Sequence, residues 1–154
     1  MLKKAFIITC ILSQILLAKD ISMINNRDVV IKQSALSFQE TLSNLKNVLH
    51  QKNITIFAIF DHTKNAHGVN LELNPTTVVV FGTPEVGTKL MQKNQKIAIE
   101  LPVKILIWQD EKGVFVEFLN FETIAKNYGF KDNVTIKNVE KLLSDITDTI
   151  TKKH

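Results

Sequence analysis

The chain has little that staples or punctuates a fold. Its 154 residues include one cysteine, three prolines, five glycines, one tryptophan and one tyrosine. A single cysteine, Cys10, excludes an internal disulfide and any zinc site built from several thiolates. No apolar run reaches the roughly 20 residues that span a bilayer as a helix. The stretch from Ala5 to Leu17 is the nearest approach, and Thr9, Cys10, Ser13 and Gln14 interrupt it. Charge of one sign is also scarce: 19 basic against 15 acidic residues give a formal +4. That is too weak to argue for nucleic acid or an acidic membrane surface.

What is present begins with an export signal. Lys3 and Lys4 precede the apolar run, and Leu16-Leu17-Ala18 offers a small residue before Lys19-Asp20 turns polar. Residues 1–18 are therefore expected to be a cleaved signal peptide, and the mature protein to be periplasmic or secreted. A lipoprotein reading would use Cys10, but Thr9 is a poor residue before a lipidated cysteine. Cleavage would remove Cys10, Lys3 and Lys4 together. The remainder would be cysteine-free, with a formal charge near +2 and no membrane attachment. Residues 19–27 read as a polar leader and 28–154 as one domain, long enough to bury roughly two-thirds of its unfolded surface without staples.

Along that domain, Val29-Val30-Ile31 predicts a short first strand. Ser37 and Glu40 form a capping box ahead of Phe38, Leu42, Leu45 and Leu49 at helical spacing, to about Gln51. Ile54 to Phe60 and Thr76 to Phe81 read as strands, joined by a short helical connection over Lys64 to Val69. Thr83-Pro84-Glu85 starts a helix to about Gln92, weakened by Gly87. Val103–Gln109 and Val114–Leu119 form a hairpin around Asp110-Glu111-Lys112-Gly113. A short helix over Asn120 to Tyr128 closes at Gly129. The last helix carries Ile136, Val139, Leu143, Ile146 and Ile150 on one stripe. The pattern predicts an α+β domain with a mostly antiparallel sheet.

The hairpin assigns faces. Pairing Gln109 with Val114 sets Ile107 on Val116 and Ile105 on Phe118, all facing one way. The other face carries Lys104, Leu106 and Trp108 against Leu119, Glu117 and Phe115, with Lys104 and Glu117 diagonal and expected to pair. That second face is too apolar to be wet, so a cover is expected. The insertions at 62–75 and 83–100, a second copy of the chain as a homodimer, and a ligand are the three candidates.

Few motifs carry chemistry. Gly82 to Lys89 superficially resembles a phosphate loop, but threonine stands before the lysine, Pro84 removes an amide and Glu85 brings the wrong charge. Asp61-His62 ends a strand, where a rigid scaffold presents groups to a loop. The aspartate could orient the histidine or share a metal with it, with His67 nearby; the plainer reading is that Asp61 caps a helix. No third ligand is marked, so no metal and no cofactor are expected. Lys104, Trp108 and Glu117 suggest a pocket with an aromatic floor and two polar handles, against a plainer ion pair and packed tryptophan.

These pieces, taken in order, resemble the bacterial domain of unknown function 302 family. The resemblance rests on Ser37-Phe38 with Glu40-Thr41, on Ile54 to Phe60 ending in Asp61-His62, and on Asn65-Ala66 and Pro75-Thr76. It continues through Phe81-Gly82-Thr83-Pro84, Gly87-Thr88, Leu90-Met91 and Leu101-Pro102, then Lys104, Leu106, Trp108, Asp110 and Gly113. Thr83 stands where the family usually has asparagine. The resemblance implies a β-α-β-β-β-β-α order similar to the TATA-binding-protein-like class, without DNA binding, in a small single domain able to pair as a dimer. It implies no reaction. The expectation is a non-catalytic module binding a small ligand or partner through Asp61, His62, Lys104, Trp108 and Glu117. The alternative is an enzyme or metal-dependent site on Asp61 and His62.

Overall fold

The computed structural model describes residues 28 to 153; the expected signal peptide and leader lie outside them. Five strands, β1 (Val29–Ser34), β2 (Thr55–Asp61), β3 (Thr76–Gly82), β4 (Val103–Asp110) and β5 (Gly113–Leu119), form one antiparallel sheet in the order β1-β5-β4-β3-β2. The helices are α1 (Phe38–Gln51), α2 (His62–His67), α3 (Pro84–Lys93), α4 (Phe121–Lys126) and α5 (Val134–Ile150), with a 3-10 turn at Gln95–Glu100.

The sheet is an α+β scaffold with one packed side. Register sets Thr77 on Ile107 on Val116, and Val79 on Ile105 on Phe118, all buried. Against this side lie Leu45 and Leu49 of α1 and Ile136, Leu143, Ile146 and Ile150 of α5. Each large aliphatic side chain so buried contributes about 1.5–3 kcal/mol. The hairpin pairs as its sequence predicts, because Asp110 Oδ1 accepts the Lys112 amide at 2.8 Å and Gly113 takes a φ of 135°. The Ser37–Glu40 capping box also forms, with both reciprocal bonds.

Several local expectations change. The helical connection begins at His62 rather than Lys64, because Asp61 caps it directly. The 3-10 turn carries no helical periodicity and was not predicted; Asn94 Oδ1 starts it by accepting the Lys96 amide. Thr83 makes no side-chain cap, so Pro84 alone presets the start of α3. Strand β2 carries a bulge between Ile56 and Ala58, which leaves Phe57 out of the pairing.

The outer side of the sheet holds Ile31, Phe60, Val78, Val80, Leu106, Trp108, Phe115 and Leu119, with Lys104 and Glu117. The insertions leave its edges open, while Val80 is buried and Leu106, Trp108 and Phe115 are half-buried. Residues 62–75 gather beside Phe38 at the start of α1, and residues 83–100 gather beside α5. Ile31 and Phe60 consequently stay 51% and 49% exposed.

Candidate functional site: an apolar cleft

Strand β3 ends in Phe81-Gly82, and the chain turns through Thr83-Pro84 into α3. Val86, Gly87, Leu90 and Met91 of that helix face Leu101-Pro102-Val103 as the chain returns to β4. Val139 and Leu142 of α5 close the third side. Together they enclose a cleft of about 540 Å³, within the size range of small-molecule sites. The bulge in β2 re-aims Phe57 to its mouth, where the ring lies 3.7 Å from the position a Cβ on Gly82 would take.

The lining is apolar apart from Thr83, Thr88, Thr135, Asn138 and Lys89. Lys89 is its single titratable side chain, and the ammonium is held by Glu85 one turn earlier. That hydrogen bond and the lysine charge keep the Glu85 carboxyl below the usual carboxylate range. Among the lining residues no two titratable side chains converge.

The residues singled out from sequence fall into two separate places. Lys104, Trp108 and Glu117 share the outer sheet face: Leu106 pairs with Glu117, and Trp108 with Phe115. The two rings stack at 4.5 Å, 20° from parallel, and Trp108 Nε1 is buried without a hydrogen-bond partner. The Lys104–Glu117 ion pair expected from the register does not form among the described residues; five other pairs do. Asp61 pairs with Thr77, whose side chain is on the helix side, so it stands away from the tryptophan face. Its Oδ1 accepts the Lys64 amide at 2.9 Å, the capping role. His62 is the exposed first residue of α2, and His67 Nε2 lies 3.7 Å from Glu72. Among the described residues, no three His, Cys, Asp or Glu side chains are placed to hold a metal ion.

Sequence reasoning missed the cleft because its walls come from segments far apart, each plainly apolar. One signal was available: a glycine, Gly87, inside a helical pattern.

Sheet order, helix placement and a single packed face define a one-sheet α+β domain. The family comparison makes that specific: the model of Domain of unknown function DUF302 matches residues 30–150, and the chain belongs to that family. A solved structure from Bacillus stearothermophilus, titled as an uncharacterized conserved protein DUF302, has the same fold. Its TM-score is 0.72 at 15% identity, covering 81% of this chain and 98% of that one. Among curated proteins, the Fluoride-specific ion channel FluC 1 of Brucella suis is 33% identical over 85 residues, 55% of this chain and 34% of that protein. The Fluoride-specific ion channel FluC 2 of Brucella melitensis matches equally, over 32% of its length. The chain thus spans about a third of the curated relatives it matches. No helix among the described residues is long and apolar enough to cross a membrane.

Proposed function

We propose that this domain is a non-catalytic binding module, exported to the periplasm or secreted, that takes a small and largely apolar ligand in the cleft between β3, α3 and α5. Gly87 carries this reading. A glycine inside a helix costs about 1 kcal/mol relative to alanine. Nothing in the backbone asks for one here: Gly87 is not among the positive-φ residues. A Cβ there would meet only Leu101 Cδ1, at an ordinary 3.8 Å. What a larger side chain would take is cleft volume. Stability given up beside a cavity marks a place where open space is needed. Channel activity is not carried over from the fluoride channels: the match covers a third of them, and the cleft's one cation is already neutralised by Glu85.

The test uses N-phenyl-1-naphthylamine, a neutral apolar probe that brightens when it leaves water. The native protein is expected to bind it saturably at one site. Gly87→Leu is expected to weaken binding at least about tenfold, a loss of about 1.4 kcal/mol, with no fall in melting temperature. Equal binding by native and Gly87→Leu protein would sink the cleft as the site. Export is checked separately, by the intact mass of protein processed in its own host. The expected first residue is Lys19, and a product beginning at Met1 would end that part of the reading.

A further inference from the structure

We infer that the occupant of the cleft is a neutral amphiphile, an alkyl or similar apolar body ending in an uncharged, hydroxyl-bearing head, with that head held by Thr135 and Asn138. This rests on the cleft as the binding site and adds what its ligand must carry at the polar end. Helix α5 supplies one wall, and its lining residues Thr135, Asn138, Val139 and Leu142 recur at i, i+3, i+4 and i+7. That is the spacing of a single helix face. The face is polar at its start and apolar beyond. A ligand lying along it meets hydrogen-bonding groups at one end and aliphatic side chains at the other.

The polar groups are free to bind. Thr41, Thr147, Thr149 and Thr151 all return their hydroxyls to the carbonyl four residues earlier. Thr88 lines the cleft and makes no such bond, although Pro84 stands four residues before it in α3. Half-buried Thr135 and exposed Asn138 likewise have no side-chain hydrogen bond among the described residues. A hydroxyl both donates and accepts, as do threonine and the asparagine amide, so head and wall match whichever way each proton points.

A charged head has no such match. The lining offers one ammonium, Lys89, and Glu85 already holds it. The Thr135 and Ile136 amides, which could otherwise receive a carboxylate, are taken by Asn133 Oδ1 at 3.0 and 3.3 Å. No carboxylate lines the cleft to receive a cation. An ion drawn out of water without a partner costs far more than a hydroxyl whose hydrogen bonds are replaced. Glu85 is thus a specificity-determining residue: by holding Lys89 it keeps the cleft neutral.

Three amphiphiles of equal chain length test this: 1-monodecanoylglycerol, decanoate and decyltrimethylammonium. Each is titrated against bound N-phenyl-1-naphthylamine below its micelle concentration. The glycerol ester is expected to displace the probe at least about tenfold more strongly than either ion. Thr135→Val combined with Asn138→Leu should weaken the ester at least about fivefold, the loss of one or two hydrogen bonds. Neither probe binding nor melting temperature should fall in that variant. Glu85→Gln, which frees the Lys89 ammonium, should strengthen decanoate at least about threefold and leave the ester unchanged. If the probe is lost in Gly87→Leu, yet decanoate displaces it from native protein as well as the ester does, the inference is overturned and the cleft stands. An ester indifferent to the Thr135 and Asn138 changes, or three amphiphiles that all fail to displace the probe, overturns it in the same way. Probe binding unchanged in Gly87→Leu removes the cleft, and this inference with it.

Discussion

Asp61 illustrates how a reactive-looking side chain is occupied by structure. Its carboxylate accepts the Lys64 amide and so satisfies one of the donors that a helix start leaves unpaired. Asp61→Ala is therefore expected to cost about 1 kcal/mol in urea denaturation, within the usual range for a lost cap. Asp61→Asn keeps an acceptor oxygen and should cost only a few tenths of a kcal/mol. Neither should alter probe binding in the cleft. The discriminating result is the asparagine variant: native stability with lost binding would give the carboxylate a role beyond capping. The adjacent pair Asp61-His62 drew attention in the sequence because reactivity is a property of side chains. Capping is a property of where the helix begins, and that was misplaced by two residues.

At the scale of elements, the edge strand β1 is tied to α5 by one lysine. Lys32 lies on the helix side of the sheet, and its Nζ reaches Asp148 Oδ1 at 3.0 Å, Ser144 O at 3.1 Å and Ser144 Oγ at 3.2 Å. It also sits 5.8 Å from the centre of the Phe118 ring. The hydrogen bond from Lys32 holds the Asp148 carboxyl below its ordinary value of 3.8, against an opposing contribution from burial. A carboxyl with a depressed folded pKa stabilises the fold above the ordinary value, and that stability is lost as pH falls through the depressed one. Asp148→Asn should thus cost about 0.2–1 kcal/mol at neutral pH, the screened value for a half-exposed pair. The gap between native and variant should close as pH falls through the depressed value of Asp148. Chemical denaturation at pH 7 and pH 2.5 checks this, and a gap that persisted in acid would assign the effect to packing.

The same scale shows what the sequence could express. The β4–β5 hairpin was legible because strand alternation and a glycine turn fix register locally, down to Ile105 on Phe118. The long helices were legible because a capping box or an apolar stripe announces them. The 3-10 turn was not, since Gln95 to Glu100 alternates too briefly to show a period. The Lys104–Glu117 pairing failed for a physical reason: two long flexible side chains on a diagonal, Lys104 exposed and Glu117 half-buried, gain little from meeting and lose rotamer freedom. The partly open outer face, by contrast, was visible as an excess of apolar residues.

For the molecule as a whole, the cleft could not be read from any one segment, because it forms only when β3, α3 and α5 are assembled around it. That same construction couples a ligand to global stability. A molecule lodged between Phe81, Leu90, Leu101 and Val139 touches elements that must separate on unfolding, so it binds the native state and not the unfolded chain. At a free concentration one hundred times its dissociation constant, such a ligand stabilises by about 2.7 kcal/mol. For a domain of this size that raises the midpoint of thermal unfolding by roughly 10 °C. The naphthylamine probe should produce this rise in the native protein and a smaller one in Gly87→Ala, whose added methyl takes part of the cleft. Gly87→Ala should also start from a higher midpoint, because alanine replaces a helical glycine at a gain of about 0.5–1 kcal/mol. In Gly87→Leu the probe should produce no rise. A stabilisation that survived there would mean the probe binds a surface the cleft does not include, and the outer sheet face around Trp108 would be the next place to look.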